Sequence, residues 1–212
     1  MPTPITPVGD TTLHRYTVRP RHMPQWHDQF IQSVGLRASH GFTTHRVFVE
    51  TDAEPKVSWL YSHPNADEAE RELRADPRYQ KIEDALAPHV FKNCNIRPVE
   101  VLAMTHAAPT ELDGEDGRIA VMRRYSLVGD IDEFLQVWNA IVPVRHRHGF
   151  RCLFAVLDRP MQKFTWAIDF QGQWQEFTEG QRAYYRDPER VELRRVFDYM
   201  ADYNLHPATM MI

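Results

Sequence analysis

Strand-like alternation and helical stripes follow one another along this chain in an order that occurs twice. Residues 13–19 (LHRYTVR) read as a strand around Tyr16, Thr17 and Val18, and residues 119–128 repeat it, with Arg124-Tyr125 answering Arg15-Tyr16. A helical stripe comes next in each copy. Trp26, Phe30 and Val34 recur every four residues, and Ile131, Phe134, Leu135, Trp138, Ile141 and Val142 form a wider one that Asp130 can cap. Gly35 and Pro143 fall at matching positions, where they weaken a helix interior by about 1 and about 3 kcal/mol. Both helices are expected to kink or end there, with a further turn down to His40-Gly41-Phe42 and His148-Gly149-Phe150. A strand pair follows: 43–50 turning at Asp52-Ala53-Glu54-Pro55 into 56–62, and 151–158 turning at Arg159-Pro160 into 163–170. The next helical region contains Asp76-Pro77 in one copy and Asp187-Pro188 in the other, a capping residue followed by a proline at the first helical position. Short strands at 95–102 and 204–211 close the copies.

The two His-Gly-Phe motifs lie 108 residues apart, and Lys56 and Trp59 precede Lys163 and Trp166 by 107. A period that long exceeds any solenoid unit, so each copy is a domain. The order β-α-β-β-α-β is ferredoxin-like and the class α+β. In 150–158 both strand faces are apolar: Phe150, Cys152, Phe154 and Val156 on one, Leu153, Ala155 and Leu157 on the other. A strand apolar on both faces is covered on both, which predicts two sheets closing one pseudo-symmetric barrel. The expected organisation is a disordered Pro-rich tail at 1–10, a first half at 11–103, a polar linker at 104–117 and a second half at 118–212.

Composition narrows the function classes. The 212 residues suit two domains of about 100 residues, and a net charge of -4 with no basic run argues against a nucleic-acid partner. No window of about 18 apolar residues exists, the N-terminus lacks an apolar signal core, and Cys94 and Cys152 have no framework spacing, so a reduced, cytoplasmic protein without a membrane span is expected. Rossmann, P-loop and nucleophile-elbow motifs are absent. Among eleven histidines no spacing suggests a metal site; His146 and His148 would point about 200° apart on a helix.

Where the copies disagree, the candidates for chemistry appear. His14, His45, Arg46, Ser58, Tyr61 and His63 match Arg123, Leu153, Phe154, Thr165, Ile168 and Phe170, so the first half carries polar groups where the second is mostly apolar. Burying such groups without partners costs about 1–3 kcal/mol each, which points to a pocket on the first half's sheet. His45 is the leading general base, because burial would keep it neutral and basic near pH 7; His14 and His63 are the fallbacks. Being adjacent on a strand, His45 and Arg46 are expected on opposite faces. His40 and His148 read as helix-end residues, with glycine after them in a left-handed turn. Trp59 and Trp166, mid-strand, are core residues or a stacking wall inside the barrel.

The succession of strand, helix, His-Gly-Phe, strand, Trp-bearing strand, Asp-Pro helix and Asn-x-x-Pro strand resembles the dimeric α+β barrel superfamily, in a tandem NIPSNAP-like form. The tandem form is similar to oxygenases that open a ring of angucycline-type polyketides. That resemblance implies an oxygenase acting on a polycyclic aromatic in secondary-metabolite biosynthesis. A base such as His45 or His14 would deprotonate the substrate, and O2 would react with the anion, with no cofactor or with reduced flavin (FAD or FMN). Trp59, Trp166 and Tyr61 would stack the substrate, with Arg46 beside them and Asn95 or Asn204 bonding a carbonyl. The implied partners are a small aromatic and O2, for a monomer or homodimer. The rivals are a non-catalytic NIPSNAP-like binding module and a haem-handling barrel with a histidine axial ligand.

Overall fold

The computed structural model describes residues 4–51, 54–105 and 117–212. The turn residues Asp52 and Ala53, most of the linker, and the side chains of residues 92–94 lie outside the described residues. Eight strands form a closed barrel in the order β1-β3-β2-β8-β5-β7-β6-β4, as expected of an α+β chain of two ferredoxin-like repeats. They are β1 (Asp10–Val18), β2 (Thr43–Glu50), β3 (Lys56–His63), β4 (Val90–Met104), β5 (Arg118–Leu127), β6 (Phe150–Asp158), β7 (Lys163–Gln171) and β8 (Met200–Met210).

The chain divides into two compact units, an N-terminal one (Thr6–Val99 with Met210–Ile212) and a C-terminal one (Met1–Ile5 with Glu100–Thr209). In the N-terminal unit, β1 and β2 pair with β3, β1 also pairs with the first part of β4, and Val47 exchanges backbone bonds with Met211 and Ile212. Helices α1 (Met23–Ser39), α2 (Ala66–Ala75) and α3 (Pro77–Leu86) accompany this sheet. Trp26, Phe30 and Leu36 of α1 share a core with Val57, Trp59 and Tyr61 of β3. In the C-terminal unit β7 pairs with β5 and β6, β5 with β8, and β6 with the end of β4. Its helices are α4 (Ile131–Arg147), α5 (Trp174–Arg186) and α6 (Pro188–Glu192), the last followed by a 3-10 turn over Leu193–Tyr199. Phe134, Trp138 and Ile141 of α4 pack with Phe164, Trp166 and Ile168 of β7. Ile5, from the expected tail, donates its amide to the Met104 carbonyl at 2.8 Å.

Neither α1 nor α4 ends at its glycine or proline. Both run one more turn because that turn carries buried residues, Leu36 and Arg37 in α1, Val144 and Arg145 in α4, whose packing outweighs the local propensity. Each helix then stops at a histidine followed by a glycine with φ of 82° (Gly41) or 84° (Gly149), a conformation that strains any residue with a Cβ.

The two repeated motifs explain each other. Asp76 and Asp187 cap α3 and α6 through the amides of Arg78 and Glu189. Their second oxygens meet the histidines, His40 Nε2 at 3.1 Å from Asp76 and His148 Nε2 at 2.9 Å from Asp187. His-Gly-Phe and Asp-Pro thus form one latch per half, tying the end of the first helix to the start of the last. The cap and Arg78 hold the Asp76 carboxyl below its ordinary value, as the His148 bond does for Asp187. A carboxylate pKa depressed by folding contributes stability above its unfolded value near 4, lost as pH falls through the folded one. Acid unfolding should therefore lose steepness in Asp76→Asn and Asp187→Asn, and His148→Gln should lower the melting temperature by a few degrees; pH-dependent thermal melts check both. An unchanged acid limb would separate the latch from stability.

Candidate functional site

In the N-terminal unit the sheet and helices enclose a cavity of about 420 Å³. Alternation along β1 and β3 brings His14, Tyr16 and Trp59 to its wall, and α1 supplies Phe30 and Arg37 from positions seven residues apart. Tyr79 and Glu83 of α3, one turn apart, close it from the helix side. The volume lies in the range of pockets that enclose small organic ligands.

Each wall group is fixed by a neighbour. Trp26 Nε1 donates to the Tyr16 hydroxyl at 3.1 Å, and burial keeps that phenol neutral by pushing its pKa well up. Trp59 Nε1 donates to Thr44 Oγ1 at 3.1 Å, while Phe30 meets the Trp59 ring edge-on at 5.0 Å. The His14 ring lies 4.9 Å from Tyr16 and stacks toward Trp59 at 6.0 Å. Arg37 is 6% exposed; its Nη1 binds Glu70 Oε1 at 2.5 Å, and its guanidinium lies 4.7 Å from the Tyr61 ring centre and 5.4 Å from that of Trp59. Burial raises the Glu83 pKa, with Arg37 opposing, so this carboxyl takes up a proton more readily than usual. Burial likewise raises Tyr79, helped by Glu83.

A carboxyl whose pKa is raised by folding costs stability as pH rises from the unfolded value through the folded one. Glu83→Gln should therefore raise the melting temperature at pH 8 and leave it nearly unchanged at pH 4; equal effects at both would show that Glu83 is not held in a strained ionisation state.

The structure separates the residues singled out from sequence. Of the three histidines, His14 lines the cavity. His45 and its counterpart Leu153 are each the extra residue of a β-bulge, in β2 opposite β3 and in β6 opposite β7. His45 Nε2 lies 2.8 Å from Ser62 Oγ, and burial, then Arg46, lowers its pKa. Arg46 is 6% exposed and donates to the His45 carbonyl at 2.7 Å. His63 ends β3, accepting the Asn65 amide at 2.9 Å on Nδ1. Trp59 lines the cavity, and Tyr61 lies behind Arg37 with its phenol pushed up to about 12 by burial. Trp166 packs against Trp138 of α4 at 5.7 Å and donates to the Tyr125 hydroxyl at 3.0 Å. Both tryptophans thus pack toward the helices of their own unit. Asn95 and Asn204 are exposed strand residues, in register with Arg15 and Arg124.

Arg37, Tyr79 and Glu83 were not among the residues chosen from sequence. The signal that could have found them is the helical part of the repeat: α2 and α5 both end at the Asp of Asp-Pro, which aligns Tyr79 with Arg190 and Glu70 with Gln181. The cavity's donor set suits an aromatic bearing a negative oxygen. Among the described lining residues Arg37 is the one arginine or lysine, and its Nη1 is bound to Glu70.

No family model and no curated protein matches this chain. Solved structures do, in fold alone. A presumed monooxygenase from Fusobacterium nucleatum subsp. nucleatum aligns with a TM-score of 0.64 at 10% identity, over 98% of this chain and 94% of that one. An anthrone oxidase-like protein aligns with a TM-score of 0.59 at 12% identity, over 96% and 91%. A presumed chlorite dismutase aligns with a TM-score of 0.54 at 10% identity, over 95% and 95%. The chain therefore shares the fold of these three proteins, over nearly the whole length of each.

Proposed function

We propose that the N-terminal unit is an oxygenase site for a polycyclic aromatic phenol. The observation that carries this reading is the cavity itself: an aromatic wall of Tyr16, Phe30 and Trp59 with one histidine, one buried arginine and one carboxyl of raised pKa converging on it. In this scheme His14 removes a phenolic or benzylic proton, Arg37 stabilises the resulting oxyanion, and Glu83, whose carboxyl takes up a proton more readily than usual, donates a hydrogen bond to a substrate carbonyl when it carries that proton. The electron-rich anion reduces O2 directly. For a methylene between two aromatic rings the balance needs no other reductant: one oxygen atom becomes the new carbonyl, and the other leaves as water with the two hydrogens. The fold likeness to an anthrone oxidase-like protein supports this class. The narrower substrate we propose is an angucycline-type polyketide, which a tandem NIPSNAP-like oxygenase would modify in secondary metabolism.

The test is O2 uptake by the purified protein with an anthrone and with a fused-ring hydroquinone. Uptake above the uncatalysed rate, with one labelled oxygen atom in the product, is the expected result. Quenching of tryptophan fluorescence by the aromatic without uptake would make the protein a binding module. A Soret band after haem addition that His14→Gln removes would make it a haem protein.

A further inference from the structure

The C-terminal unit buries three arginines between its helices and its sheet. Arg123, Arg145 and Arg190 are 4%, 3% and 4% exposed. They cluster on shared rings: Arg123 and Arg145 lie 5.6 and 5.3 Å from the Trp166 ring centre, and Arg145 and Arg190 lie 4.1 and 5.4 Å from that of Tyr184. Among the described residues no carboxylate pairs with any of them. Arg123 donates to the Tyr125 hydroxyl at 2.9 Å, but its Nη1, Nε and Nη1 of Arg145 and Nε of Arg190 are buried with no acceptor among the described residues. Buried positive charge without an anion is costly, and ring faces repay only part of it.

The repeat shows how the charge arose. Arg145 is the counterpart of Arg37, 108 residues on. Arg37 has Glu70, six residues before the Asp that ends α2; the residue six before the Asp that ends α5 is Gln181. Three residues after the same Asp, Tyr79 gives way to Arg190, and on the strand His14 gives way to Arg123. Each difference removes a negative charge or adds a positive one. The site that is mixed acid and base in one unit is purely cationic in the other. Burial works against ionising Tyr185, yet Arg123 and Arg145 outweigh it and hold that phenol below its ordinary value, so these surroundings already favour a negative oxygen.

We propose that the C-terminal unit binds an oxyanion, the carboxylate or phosphate group of a small molecule, on Arg123, Arg145 and Arg190. Guanidinium forks match both groups and are held in place by the ring stacks. Tyr185, 38% exposed and hydrogen-bonded to Arg123, also lines a surface pocket of about 330 Å³ with Thr178, Gln181, Arg182 and Arg186 of α5.

Thermal melting of the full chain at constant ionic strength, with sodium phosphate, sodium benzoate or chloride alone, tests this. At least one of the two anions should raise the melting temperature progressively with concentration while chloride does not, as for a ligand of the folded state; which anion works distinguishes phosphate from carboxylate. The response should vanish in Arg145→Met and in Arg190→Gln, the latter serving if the former does not fold. Indifference of the wild type to both anions overturns the proposal, and so does an undiminished response in Arg190→Gln. An absorbance titration supplies a further check: a tyrosinate already present at neutral pH and removed by Tyr185→Phe would mean that the counter-ion is internal, which also overturns it.

Discussion

Replacing His14 by Gln is expected to slow O2 uptake on a polycyclic phenol by a factor of about 10²–10⁴, the usual effect of losing a positioned base, while the melting temperature stays within a few degrees. The expectation rests on place: His14 faces the cavity from mid-β1, between Tyr16 and Trp59. Gln keeps the size and the hydrogen-bonding capacity but cannot take the proton. His45→Gln is the matched comparison. With Nε2 against Ser62 Oγ at a bulge, His45 should leave turnover within a fewfold of wild type. Should His45→Gln abolish turnover while His14→Gln spares it, the base lies at the bulge and the cavity is not the reaction chamber.

The second large effect is on stability. Trp166→Ala should cost about 3–5 kcal/mol, the range for deleting a fully enclosed large aromatic. Its ring is 2% exposed, wedged against Trp138 and Phe164, and its Nε1 bond to Tyr125 would be lost as well. Trp59→Leu should divide the effect differently, lowering stability by about 1–3 kcal/mol and weakening binding of a flat aromatic in addition, because Trp59 borders the cavity. Denaturant unfolding with and without the aromatic separates the two outcomes. If both variants lose ligand equally, the aromatic does not sit in the N-terminal cavity.

The fold was legible because its signals are local and doubled. His40-Gly41 and His148-Gly149 mark helix ends, Asp76-Pro77 and Asp187-Pro188 mark helix starts, and the two-sided apolar strand at 150–158 implied closure. Gly35 and Pro143 lie inside helices that continue through the further turn, whose buried residues supply a tertiary effect that propensity does not contain. The site was legible only on its strands. His14 and Tyr61 stood out against their counterparts and Trp59 by its mid-strand place in the repeated motif, and the structure gathers them near Arg37. Arg37 itself was hidden by the repeat, since Arg145 matches it and identical residues raise no contrast. The bulge at His45 was hidden as well, since both copies carry one at the same place and strict alternation gives no warning of it. Comparing α2 with α5 as closely as the strands would have exposed Glu70 against Gln181 and Tyr79 against Arg190.

The most direct test of the central claim is a crystal structure of the protein grown with a fused-ring phenol under anaerobic conditions, so that the ligand is bound but not oxidised. The account predicts planar density in the N-terminal unit between Trp59 and α3, with the phenolic oxygen toward Arg37 and His14 within hydrogen-bonding reach of it. Density elsewhere with that cavity empty, or a ligand whose oxygen points away from both Arg37 and His14, would contradict it.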